Sequence, residues 1–213
     1  MVNEYNDPGC RRRRRLNLSG YLLHSTVNGP GTRAVVWVQG CPLRCKGCFN
    51  PASWPFSPAQ IIPAEELASR ILAADDIDGI TFSGGEPFAQ AGPLADVAER
   101  VIGTGLTVVT YSGYTFEQLA SCRDPEYGRL LAATDLLIAG PYRDDLTCSD
   151  RYRGSRNQQL IPLSGRIAPE LLLPSQAQEH AVEFSIAPDG TITTTGFPPD
   201  SMVMQVAARC RGE

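Results

Sequence analysis

Three cysteines fall close together in Cys41-Pro42-Leu43-Arg44-Cys45-Lys46-Gly47-Cys48, a C-x3-C-x2-C spacing that puts three thiols on one loop. Thiolates are the preferred ligands of iron–sulfur clusters, and a cubane [4Fe-4S] cluster usually takes four of them. Three ligands leave one iron open to another molecule. The same thiols would suit a structural zinc ion if a further Cys or His closed the tetrahedron. His24 and His180, the two histidines, lie far away in sequence. The spacing ranks a cluster ahead of zinc and leaves both open.

A second constellation is Ser83-Gly84-Gly85-Glu86-Pro87. Paired glycines let backbone approach a ligand closely, and a glutamate is an acceptor suited to an ammonium group. Taken alone, Gly-Gly after a strand is more often just a turn. Tyr111-Ser112-Gly113-Tyr114 and Asn157-Gln158 have the same double reading, as polar site residues or as turn and cap residues. Cys10, Cys122, Cys148 and Cys210 are scattered without ligand spacing and read as buried or free thiols.

These residues need a frame. Residues 34–38, Ala-Val-Val-Trp-Val, form a β-branched run leading straight into Gln39-Gly40-Cys41. Pro63 opens a helix with Leu67, Ile71 and Leu72 on one face. Residues 79–83 read as a strand, a helix starts near Pro93, and residues 106–111 return as a strand. Thr115-Phe116-Glu117-Gln118 has capping-box spacing, a helical stretch surrounds Tyr127 to Ala133, and Leu136 to Ala139 is the next strand. Alternation of this kind implies parallel pairing, hence an α/β sheet or partial (β/α) barrel with its chemistry at the carboxyl ends of the strands. Near the end, 182–187 and 191–197 flank Pro188-Asp189-Gly190 and predict a C-terminal β-hairpin.

Composition narrows the class without choosing it. Hydrophobic residues make up 42% of the 213-residue chain and charged ones 20%, the balance of a globular domain with a core. Nineteen Lys and Arg against 23 Asp and Glu give a formal charge of −4, which offers no global basic field to nucleic acid. The run Arg11 to Arg15 reads as a solvated N-terminal arm. No apolar stretch reaches bilayer length, and Leu16-Asn17-Leu18-Ser19-Gly20 is too broken for a signal-peptide core. A cytoplasmic protein is expected, in which cysteines serve as metal ligands or free thiols.

The triple cysteine motif followed by Gly84-Gly85-Glu86-Pro87 resembles the radical S-adenosylmethionine (SAM) superfamily. Val27-Asn28-Gly29-Pro30-Gly31-Thr32-Arg33, Gly47-Cys48-Phe49-Asn50, Tyr111-Ser112-Gly113-Tyr114-Thr115, Gly140-Pro141-Tyr142 and Arg153-Gly154-Ser155-Arg156-Asn157-Gln158 are similar to the anaerobic ribonucleotide reductase activating proteins. The resemblance implies a partial barrel of the radical SAM type over residues 18–160, between a basic arm, 1–17, and a C-terminal extension, 161–213. It implies that Cys41, Cys45 and Cys48 hold a [4Fe-4S] cluster, and that Gly84, Gly85, Glu86, Ser112 and Gly113 contact SAM, with Phe49 packing on adenine or under the loop. The activity implied is reductive SAM cleavage. A one-electron donor such as flavodoxin or ferredoxin and a glycyl radical enzyme would be the partners, without nucleic acid or membrane. Radical chemistry on a peptide or small molecule, and non-catalytic electron transfer, are the competing functions.

Overall fold

The computed structural model describes residues 14–148, 150–173, 181–186, 190, 192–197 and 200–210. Four parallel strands, β2 (Arg33–Val38), β4 (Gly79–Gly84), β5 (Thr107–Ser112) and β6 (Leu136–Ala139), form the middle of a seven-stranded sheet. Antiparallel strands extend it on both sides: β1 (Arg15–Ser25) and then β3 (Gln60–Pro63) beyond β2, and β7 (Gln159–Pro162) beyond β6. The order is β3-β1-β2-β4-β5-β6-β7.

Helices α1 (Ala64–Leu72), α2 (Ala91–Ile102), α3 (Phe116–Ala120) and α4 (Pro125–Ala132) link the parallel strands. Their starts follow local chemistry. Thr115 and Gln118 close the expected capping box, and Asp124 accepts from Glu126 N ahead of Pro125. Alternate strand residues Val36, Val38, Ile80, Phe82, Val108 and Leu137 pack with Leu67, Ile71, Leu94, Val97 and Leu130 in the main core. The opposite face of the sheet keeps a smaller cluster of Val109, Leu136, Ile138 and Ile167. One face is thus filled by helices, and the other is left for a cavity.

Three strands in this sheet carry no β-α-β signal. β1 begins at Arg15, inside the expected arm, and Leu16 and Leu18 are fully buried. Arg14 bonds Glu126 at 2.9 Å and so ties the strand to α4, while Arg11 to Arg13 lie outside the described residues. β3 and β7 have four residues each, too short to show a period. Helix α5 (Asp200–Cys210) is also new to the sequence reading. Val182–Ile186 and Ile192–Gly196, here β8 and β9, pair antiparallel as a separate two-stranded ribbon. Pro188 and Asp189 of the expected turn lie outside the described residues.

At the amino ends of the strands, Arg33 is completely buried and donates to Thr81 Oγ1, Pro30 O, Ile80 O, Thr107 Oγ1 and Thr107 O. Burial lowers its pKa to about 10, since its partners are neutral oxygens. The guanidinium stitches β2, β4 and β5 together away from the cysteines. No helix among the described residues is long and apolar enough to cross a membrane.

Candidate active site

At the other end of the parallel strands lies a cavity of about 1020 Å³, lined by all three motif cysteines, the Gly84-Gly85-Glu86 segment and Ser112-Gly113. The cysteines, Gly84, Gly85, Glu86, Ser112, Gly113 and Phe49 all line this one space, as do Tyr111 and Gln158, whereas Tyr114 and Asn157 are not among its lining residues.

The cysteine loop leaves β2 through Gly40 at φ +104°, and Arg44 at φ +48° and Gly47 at φ +72° bend it back. Its backbone is held from below, with Gly40 N donating to Ser53 O at 2.7 Å and Cys41 N to Trp54 O at 3.0 Å. Gln39 Nε2 donates to Ala52 O and Pro55 O. Burial pushes the Cys41 and Cys45 thiols above their ordinary pKa, against backbone N–H groups that favour the thiolate. Among the described residues no group of three or more His, Cys, Asp or Glu is placed to hold a metal ion. Cys122 is exposed and Cys148 half-buried, both free, and Cys10 lies outside the described residues.

The glycine segment is joined directly to that loop. Gly85 N donates to Val38 O at 2.8 Å and Glu86 N to Gly40 O at 2.9 Å, so β4 runs on beside the turn that starts the cysteine motif. A Cβ at Gly85 would stand 2.4 Å from Gly40 O, and one at Gly84 2.7 Å from Trp37 Cα. The glycines are therefore required by backbone packing as well as by any ligand.

Glu86 is 1% exposed, and each carboxylate oxygen has protein donors. Phe88 N and Ser112 Oγ donate to Oε1 at 2.9 and 3.0 Å, and Gly113 N donates to Oε2 at 2.8 Å. Burial still outweighs these donors and pushes its pKa up to about 7. The residue caps the 3-10 turn Pro87–Gln90 and fastens the end of β5 to that of β4. Ser112 and Gly113 meet Glu86 in the cavity wall, an arrangement the separate motifs do not announce.

Phe49 is 47% exposed and so is no core aromatic. Its ring centroid stands 4.8 Å from Tyr142 and 5.3 Å from Phe197. Gly154 makes room, since a Cβ there would come within 2.9 Å of the Phe49 ring. Gln158 accepts from Gly154 N and Ser155 N and donates to Gly140 O, which pins the 154–158 turn to the end of β6. Asn157 donates to Pro141 O. Both residues are turn clamps and not helix caps. Sequence reasoning missed Asn28 and Thr193 to Phe197 as cavity residues. Asn28 sits in the 27–33 segment that carries the resemblance, without a site role assigned to it, and nothing local marks Thr193 to Phe197.

Residues 27–161 match the family model described as "4Fe-4S single cluster domain". The anaerobic ribonucleoside-triphosphate reductase-activating protein of Enterobacteria phage T4 is 31% identical over 63% of this chain and 86% of its own length. The protein of the same name from Vibrio cholerae is 30% identical over 67% of this chain and 96% of its length. The pyruvate formate-lyase-activating enzyme of Clostridium pasteurianum is 35% identical over 53% of this chain. The chain spans about half the length of that enzyme, 46%.

Proposed function

We propose that this chain, which belongs to the family of radical SAM glycyl radical enzyme-activating proteins, abstracts hydrogen from a backbone glycine of a partner glycyl radical enzyme. The family's cofactors are a [4Fe-4S] cluster and SAM. When bound, and with the cluster reduced by an external one-electron donor, they would supply reductive cleavage of the SAM sulfonium to methionine and a 5′-deoxyadenosyl radical.

The observation that carries this reading is one cavity shared by three thiols on a single loop and a glycine strand end hydrogen-bonded to that loop. The donor set fits the cofactors. Cys41, Cys45 and Cys48 would hold the cluster, and their protons leave on binding because the ligands are thiolates. Trp54 lines the same space and holds the loop from below by accepting from Cys41 N through its carbonyl. Gly84 and Gly85 set their backbone in the cavity wall, where a methionyl group would meet main chain, and Phe49 offers a ring to adenine. Glu86 positions the Ser112–Gly113 wall through the bonds already made. Any contact of its own with the SAM amine would use lone pairs left over from its protein donors.

We read the sheet from β1 to β7 as the partial barrel of the radical SAM type, which moves the expected 18–160 core outward to Arg15 and Pro162, with β8–β9 as a C-terminal hairpin and a cytoplasmic setting. Flavodoxin or ferredoxin would deliver the electron. The test uses reconstituted protein, dithionite, SAM and a candidate glycyl radical enzyme carrying α-deuterated glycine. Deuterium in 5′-deoxyadenosine together with a glycyl doublet in electron paramagnetic resonance is expected. SAM cleavage without either signal overturns the glycine assignment.

A further inference from the structure

The C-terminal ribbon lies outside the matched residues 27–161, yet Thr193, Thr194, Thr195, Gly196 and Phe197 line the same cavity as the cysteines. Side chains of a strand alternate between faces, so a strand turning one face to a cavity lines it with every second residue. Four consecutive residues of β9, Thr193 to Gly196, do so here, which means that β9 turns its edge to the cavity. Among the described residues the ribbon has two strands, so the side of β9 away from β8 has no strand partner.

The faces of the ribbon agree. Cross-strand partners share a face, and the pairs Glu183↔Thr195 and Ser185↔Thr193 make one polar face. Thr195, 5% exposed, lies on it and bonds Asn28 at 2.8 Å across the chain. Glu183 Oε2, on the same face, is buried without a hydrogen-bond partner. Phe184, Ile186 and Ile192 point the other way and are exposed. The ribbon thus presents its polar side inward and is anchored by Asn28 and by Phe197 against Phe49.

We propose that the free edge of β9, residues Thr193–Gly196, binds the hydrogen-donor protein by adding its glycine-bearing segment as an extended third strand of the ribbon. An unpaired edge supplies backbone donors and acceptors to any extended peptide. This edge runs into the cavity of the thiols, so a segment paired along it is delivered to the site of hydrogen abstraction. A glycine without a side chain suits the approach. The inference rests on the glycine assignment above and adds the surface that recognises the donor.

The probe is a fluorescent twelve-residue peptide centred on the radical-site glycine of an anaerobic ribonucleoside-triphosphate reductase, titrated into the full-length protein. Two further peptides carry N-methyl groups on alternate backbone nitrogens, one set for each edge of the strand. Loss of about two hydrogen bonds should weaken one methylated peptide tenfold or more and spare the other. Hydrogen exchange should slow at Thr193–Gly196 when the unmodified peptide binds. Equal binding of all three peptides, no binding of any, or protection confined to residues 41–50 would overturn the proposal. Deuterium transfer from an α-deuterated peptide separates the two readings. Transfer that ignores methylation defeats the ribbon inference alone, and edge protection without transfer defeats the glycine assignment alone.

Discussion

At the scale of single residues, the site depends on groups whose charge the fold controls. Cys45 has no neighbouring fourth thiol to replace it in the loop, so Cys45→Ala should drop bound iron from about four per chain to below about one after anaerobic reconstitution. Iron analysis and the visible cluster absorption read the result, and full iron in the variant would defeat the ligand assignment. Glu86 makes a different prediction. Its folded pKa is raised to about 7 from 4.5, so its protonated form is the one that folding favours. The contribution is fully present below pH 4.5 and is lost as pH rises through about 7. The unfolding free energy of the wild type minus that of Glu86→Gln should therefore fall by about 3 kcal/mol between pH 4.5 and pH 8. A flat difference in urea titrations would mean that the three donors, and not burial, set the charge of Glu86.

At the scale of elements, the decisive contact is the crossing of β4's end over the start of the cysteine loop. Gly85 N to Val38 O and Glu86 N to Gly40 O lock two segments that are more than forty positions apart in sequence. Gly85→Ala would drive a methyl into Gly40 O, a clash with backbone that no rotamer relieves. We expect a loss of more than about 2 kcal/mol in stability, because two backbone bonds and the loop must shift together. The variant should also retain less cluster, measured as iron per folded chain after gel filtration. Normal iron content with normal unfolding would show that the segment tolerates the displacement. The turn at 154–158 works in the same way, with Gln158 bonding three backbone groups so that Gly154 leaves space for the Phe49 ring.

At the scale of the molecule, the parts are joined by charged groups set between elements. Asp135, 3% exposed at the start of β6, accepts from Val108 N, Ser164 Oγ and both Arg166 Nε and Nη2, so it ties β5 and the segment after β7 to one carboxylate. The Arg166 guanidinium and its other donors hold the Asp135 pKa below the usual value against burial. The sign is opposite to that of Glu86: this stability is present above about pH 3.8 and is lost as pH falls through the lowered pKa. Asp135→Asn should cost about 1.5–3 kcal/mol at neutral pH, the range for hydrogen bonds to a charged group. The difference from wild type should stay level from pH 5 to 8 and shrink below pH 4. Equal stability at pH 7 by chemical unfolding would rule out the tie. On the opposite side, Arg14 and Arg129 share Glu126 and Asp96, which fixes β1 to α2 and α4.

The sequence by itself determined the chemistry and the rhythm of the central strands. Thiol spacing is local, glycine's freedom is local, and the apolar periods of β2, β4, β5 and their helices are written within each segment. The capping box at Thr115 was legible for the same reason, since both its bonds close within four residues. Tertiary structure alone decided how the pieces share a site. β1 looked like the end of an arginine arm because only its pairing with β2 and β3 shows where Leu16 and Leu18 go. Glu86 looked like a ligand for an amine, and the fold gave it Ser112, Gly113 and Phe88 first. Thr193 to Phe197 carried no motif at all, yet they line the same cavity as Cys41. Backbone hydrogen bonds and ring contacts between residues distant in the chain depend on where the sheet brings them, and no window of sequence contains both partners.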